Sequence, residues 1–262
     1  MHRFYDVTVK GVTLRRCTLL DEAGVRHAFG TKLGGFGENE CEGLNFNRKM
    51  DIPGGSVDKN IALLGEIVGF EPKELARTMQ VHEDTVLYAH SGYGESKTGC
   101  DGLFTDIEGK ALMVLGADCI PVLLYDPVTN TAAAVHSGWR GTALAIAGKA
   151  VSLMCERFGC FPGNILCAIG PGICAECFET HNDVPEAMEK LIPFARDHMV
   201  QKPSGKWNVD LKGIIRSTLL DAGLEDNNIC TDGECTCCLA DKYWSHRRIG
   251  PRRGTQGAVI AL

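Results

Sequence analysis

The alternation of apolar and polar positions divides the 262-residue chain into short β-type runs and a few amphipathic helices. Val7 and Val9, then residues 12–14 and 26–29, predict β-structure near the start. Val57, Ile61, Leu64 and Val68 share one face at helical spacing, so a helix is expected from a Ser56 cap to Gly69. Residues 75–81, 85–88 and 111–115 read as strands. Two further apolar runs, 120–125 and 131–135, flank the turn signal Asp126-Pro127-Val128-Thr129-Asn130 and predict a hairpin. Leu144, Ala147, Val151, Met154 and Phe158 mark the clearest helix, closed by Gly159. A buried strand is expected over 165–169, stopped by Gly170-Pro171-Gly172. Asp183 and Asp210 cap two more helices, the second over 211–222, and 258–262 is a final strand. Strands and helices do not alternate regularly enough for a doubly wound sheet. The pattern therefore predicts an α+β protein, one domain over 1–262, with mixed β-sheets and flanking helices. Residues 31–55, rich in Gly and Asn, and residues 90–102 read as loops; the first is long enough to be functional or simply a surface loop.

Composition narrows the classes. An apolar content of 44% and a charged content of 23% are those of a soluble globular protein. A net charge of -6 argues against a general nucleic-acid binder. No apolar run approaches the length of a membrane span, and the first residues lack the apolar core of a signal peptide, so a cytoplasmic protein without membrane partners is expected. Thirteen cysteines without an export signal read as reduced thiols, and those inside apolar runs, such as Cys155 and Cys167, as core residues. Cys174 and Cys177 form a lone Cys-x-x-Cys; Cys235, Cys237 and Cys238 have poor zinc-ribbon spacing relative to it, so a second metal site is not expected there.

The hairpin carries the chemistry. Cys119 stands where its first strand begins and His136 where its second ends, and antiparallel pairing brings those ends side by side. Arg140 follows in a glycine-flanked turn that enters a helix. His82 closes the strand 75–81; alone it reads more readily as a structural histidine than as a ligand. Asp118, beside Cys119, is placed either to orient a ligand or to point away. His246, Arg247 and Arg248 suit a phosphate, and equally a solvated basic edge. The Walker A loop, the dinucleotide-binding glycine fingerprint, the nucleophile elbow and the nucleobase-deaminase zinc signature are all absent from the sequence.

Five motifs in order, Gln80-Val81-His82, Ala117-Asp118-Cys119-x-Pro121-Val122, Val135-His136-Ser137-Gly138-Trp139-Arg140-Gly141, Ile169-Gly170-Pro171-Gly172-Ile173 and Ser245-His246-Arg247-Arg248, resemble the YfiH-type family. That family has been labelled multicopper polyphenol oxidase, laccase domain and peptidoglycan editing factor, and is read as purine nucleoside phosphorylases with adenosine deaminase activity. The resemblance runs from about residue 28 to 262. It implies a single α+β domain like the catalytic domain of cytotoxic necrotizing factor toxins. It also implies a metal triad falling on His82, Cys119 and His136, zinc with copper as the other candidate, and purine nucleosides and phosphate as substrates. Gln80 and Glu179 are further substrate-contact candidates. Lys32 and Thr255 stand where the family commonly has arginine, although Arg252 and Arg253 lie close to the second position.

The chemistry of the triad agrees with that implication, since two imidazoles and a thiolate are good zinc ligands and leave a fourth position open. Other readings are a Cys-His hydrolase with Cys119 as nucleophile and His136 as base, acting on an amide or a peptidoglycan precursor. A copper oxidase is disfavoured because the chain has only eight histidines. A non-catalytic thiol buffer is disfavoured by the core-like placement of many cysteines. The chain is expected to be a monomer or homodimer.

Overall fold

The computed structural model describes residues 2–51 and 55–262. Two β-sheets lie face to face. One has seven strands, in the spatial order Phe4–Val9, Val12–Cys17, Arg26–Gly30, Gln256–Ala261, Ala111–Gly116, Leu75–Met79, Glu95–Gly99. The other has six, in the order Ile229–Thr231, Leu166–Ile169, Ile120–Asp126, Thr131–Ser137, Gly102–Thr105, Val86–Tyr88. Both mix parallel and antiparallel pairs. A small three-stranded sheet, Glu179–Thr180, Trp207–Val209 and Met199–Gln201, adds Met199, Trp207 and Val209 to the core on the helix-covered side of the six-stranded sheet.

Period-two alternation explains how the layers assemble. In Ile120–Asp126, Ile120, Val122 and Leu124 face the helices Ile146–Phe158 and Leu211–Asp221, whereas Leu123 and Tyr125 face the other sheet. Phe29, Leu112, Val114, Ala258 and Ile260 meet them from the seven-stranded sheet. The outer face of that sheet, through Leu14, Met113 and Val259, is covered by the helix Ser56–Val68. The result is a four-layer α/β/β/α stack in which strands of the central sheets are buried on both faces, and this is why they read as near-continuous apolar runs.

The expected α+β architecture is what the chain adopts, with local differences. Gly55, in a left-handed conformation, precedes the first turn of the Ser56–Val68 helix, so Ser56 is inside it; Asp51 accepts hydrogen bonds from Ser56 and from the Val57 N–H. The helix expected from Leu144 is broken at Ala145 (φ 55°), giving Trp139–Ala143 and Ile146–Phe158. The strand Glu95–Gly99 forms inside the segment read as a loop. The Gly/Asn-rich segment is pinned down: Leu44 and Phe46 are fully buried, Phe46 N–H donates to Thr255 O, and Asn47 Nδ2 donates to Arg253 O. Residues 52–54 of that segment lie outside the described residues. Among the described residues no helix is long and apolar enough to cross a membrane.

Candidate metal centre and active site

The hairpin register pairs His136 with Pro121 and Ser137 with Ile120, which sets Cys119, one residue before the first strand, beside His136. His82 reaches the same place from the turn after Leu75–Met79. Its backbone is left-handed at φ 63°, a conformation held because Val81, His82 and Glu83 all donate their N–H groups to the Asp101 carboxylate, at 3.1, 3.0 and 3.0 Å. Asp101 was not singled out by sequence reasoning. It also accepts from His136 Nδ1 at 2.8 Å, and its carbonyl accepts the His136 N–H at 2.7 Å. With Nδ1 committed to the carboxylate, Nε2 of His136 is the nitrogen left for a metal, which would take the place of its proton.

One donor atom each from His82, Cys119 and His136 lies within 4.8 Å of the others. The two imidazole rings are 4.9 Å apart and nearly perpendicular. Burial pushes the Cys119 thiol up, but His136 and then His82 outweigh it and bring it down to about 6. Burial likewise opposes charge on His136, yet the Cys119 thiolate and Asp101 raise it to about 9. Gly138 leaves room for the two side chains, since a Cβ there would lie 3.1 Å from His82 Cδ2 and 3.2 Å from Cys119 Sγ and would press both aside.

His82 and Cys119 open into a cavity of about 380 Å³, lined also by Trp139, Arg140, Phe178, His246, Arg247 and Arg253, with His136 buried behind them. Arg140 lies 4.2 Å over the Trp139 ring. Arg253 was noted only as a neighbour of Thr255; its buried Nε has no hydrogen-bond partner among the described residues, and it faces the charges of Asp118 and Cys119.

The other candidates are engaged in structural contacts, although Asp118 also lines this cavity. Asp118, buried and left-handed at φ 93°, accepts from Thr236 Oγ1 at 2.7 Å, Ser245 Oγ at 3.0 Å and the Arg247 N–H at 2.6 Å. It therefore fastens the segment bearing His246 and Arg247 onto the Cys119 turn. The Gln80 amide is occupied at both ends by the backbone of Leu115, at 2.7 Å each. Glu179 is an ion-pair partner of Lys202 and Lys206. The Arg248 guanidinium is taken up by Cys237 O. Gln80 and Arg248 stand in motifs beside the triad, but motif proximity says nothing of side-chain direction.

Residues 26–262 match the family described as multi-copper polyphenol oxidoreductase laccase. The chain belongs to that family. Within reach of this laccase-type family's name lie relatives with quite different ones. A purine nucleoside phosphorylase from Deinococcus radiodurans is 35% identical over 257 residues, covering 98% of this chain and 95% of its own. Adenosine deaminase RL5, from an unknown prokaryotic organism, is 38% identical over 157 residues, 60% of each chain. Among solved structures, YfiH from Bacillus licheniformis superposes with a TM-score of 0.90 at 27% identity, covering 99% of this chain and 98% of its own. These relatives make the laccase-family chain described here an enzyme.

Proposed function

We propose that the chain is a zinc-dependent purine nucleoside phosphorylase, splitting adenosine or inosine with phosphate into free base and ribose 1-phosphate, and methylthioadenosine into adenine and 5-methylthioribose 1-phosphate, and that the same site deaminates adenosine. The observation that carries this reading is the convergence of His82, Cys119 and His136, the first two of which line a cavity walled by three arginines and two aromatic rings. The donor set suits zinc, because the Asp101 contact engages His136 Nδ1, so that Nε2 is the nitrogen a metal would take in exchange for its proton, and Cys119 carries thiolate character. Zinc bound there supplies Lewis acidity toward water and toward an oxygen of substrate. Copper fits less well as a multi-centre catalyst: the His/Cys groupings among the described residues are this triad and a set of cysteines, with no second cluster of imidazoles.

The chain's own residues divide the remaining work. Trp139 and Phe178 offer faces for a purine, which stacks on aromatic rings without needing base-specific contacts. Arg140, Arg247 and Arg253 offer charge-assisted donors for phosphate, which must sit beneath the ribose C1′. Guanidinium groups there also hold the nucleophilic oxyanion oriented as the glycosidic bond lengthens. His246 lines the same cavity and is placed to hand a proton to the leaving purine nitrogen. Deamination uses the same cavity with water in place of phosphate, a reading favoured by the likeness to RL5.

Incubation with adenosine, inosine and methylthioadenosine, with and without phosphate, followed by chromatography, tests both reactions. Free base and the corresponding pentose 1-phosphate (methylthioribose 1-phosphate from methylthioadenosine) should form only with phosphate, and inosine from adenosine without it. His82→Ala, Cys119→Ala and His136→Ala should each abolish both. Full activity of Cys119→Ala would overturn the metal centre, and survival of activity after chelation would favour a Cys-His hydrolase.

A further inference from the structure

A second set of soft donors lies outside the triad. Cys174, Cys177, Cys235 and Cys238 each bring Sγ within 4.8 Å of the other three. All four are free thiols, and the approach of Cys177 Sγ to Cys238 Sγ, at 3.4 Å, is far longer than a disulfide bond. It is close to the edge of about 3.8 Å that a tetrahedron of sulfurs makes around zinc at a zinc–sulfur distance of about 2.3 Å. The ligand spacing is Cys-x-x-Cys in both halves. Cys237, between the two ligands of the second half, hides that spacing in the sequence; its sulfur is not in the set, and its carbonyl accepts the Arg248 guanidinium.

The surroundings favour thiolates at this point. The N–H groups of Cys174 and Cys238 both donate to Cys235 Sγ, at 3.2 and 3.4 Å, an arrangement that stabilises a negatively charged sulfur. The Arg247 guanidinium donates to Cys177 O at 3.2 Å, and Arg248 to Cys237 O. The buried Lys212 ammonium donates to the carbonyls of Asp232 and Glu234, on the approach to Cys235. Cations thus sit on the backbone around a group that four thiolates and a divalent ion would leave with net negative charge.

We propose that these four cysteines hold a structural zinc ion, distinct from the triad. Four protein sulfurs close the coordination shell, so the ion has no position for substrate. Its task is mechanical. The loop 174–177 leads from Ile173 to Phe178, and the loop 235–238 leads toward His246 and Arg247, all residues of the cavity wall. Gly172 and Cys235 already form a β-bridge, and the Thr236 N–H donates to Gly172 O. The ion would join these two loops, which are more than fifty residues apart in sequence, into one rigid wall.

The test is metal content and ligand shell, not activity. Protein purified under reducing conditions without chelator should carry about two zinc per chain by mass spectrometry of metals, and Cys119→Ala about one. X-ray absorption of the zinc left in Cys119→Ala should show an all-sulfur shell near 2.3 Å. The double variant Cys177→Ser, Cys238→Ser should lose the sulfur-bound ion, keep the triad ion, and melt at lower temperature. A zinc shell of mixed nitrogen and sulfur in Cys119→Ala, iron in place of zinc, or an intact mass showing these thiols paired as disulfides in the freshly purified protein would each overturn the proposal. If the double variant is insoluble, the absorption spectrum of Cys119→Ala alone decides.

Discussion

Asp101 Oδ1 lies 2.8 Å from His136 Nδ1, and the same carboxylate receives the N–H groups that hold His82 in its left-handed turn. One buried acid therefore aims two imidazoles that come from different sheets. Burial raises its pKa, but His136 and the backbone donors outweigh that and keep it ionised below the usual carboxylate range. Asp101→Asn should weaken zinc binding about 10- to 100-fold, as loss of a partner behind a ligand does elsewhere. Competition with a chromogenic chelator measures this; unchanged affinity would mean that the imidazoles are held without it.

Gly138→Ala isolates a purely steric effect. Gly138 has φ -72°, which alanine adopts freely, so no backbone strain is introduced. The new methyl group would press on His82 and Cys119. Zinc affinity should fall ~10-fold or more while the melting temperature moves little, because the clash is relieved by turning His82, which is exposed, and not by opening the core. Full-strength metal binding in this variant would show that the turn has room the geometry denies.

Arg253 is the position at which the two proposed reactions should part. Its unpartnered buried Nε and its place in the cavity suit an anion. Arg253→Met should raise the KM for phosphate ~10-fold or more and leave phosphate-independent deamination within a few-fold. Initial rates over a phosphate series decide it; equal losses in both reactions would make Arg253 a support for the whole cavity and no specific phosphate contact.

His27 predicts an acid weakness far from the site. It is buried, its Nε2 accepts the Cys17 N–H at 2.9 Å, and burial holds its pKa down at about 4 against an ordinary 6.5. As pH falls through 6.5 the unfolded chain takes up this proton and the folded chain does not, so stability declines between about 6.5 and 4. The decline from this one group at pH 5 is on the order of 2 kcal/mol. Urea unfolding at pH 7.5 and pH 5 should show a smaller drop in His27→Gln than in the native sequence. Equal drops would place the acid sensitivity elsewhere.

Much of this was legible in the chain. The Cys119–His136 pairing followed from alternation and a turn signal, because hairpins are local and their register is set by the turn. Long-range contacts were not legible. Asp101 gains its meaning only when the strand after it pairs with the one bearing His136, while the turn of His82 folds over it. The Glu95–Gly99 strand is polar at a sheet edge, so no apolar run announced it. Gln80 and Arg248 stood in motifs beside the site yet turn to backbone carbonyls. The Cys-x-x-Cys pairing of Cys235 with Cys238 was present in the sequence but obscured by Cys237.

The strand Gln256–Ala261 lies between Arg26–Gly30 and Ala111–Gly116, near the middle of its sheet. During synthesis those two earlier strands emerge long before the one that joins them. Until it arrives, each shows a row of unpaired amides toward the gap, an invitation to wrong partners. Folding of this half of the protein is thus necessarily late, and a transcript cut short before codon 256 should yield aggregate in place of a weakened enzyme.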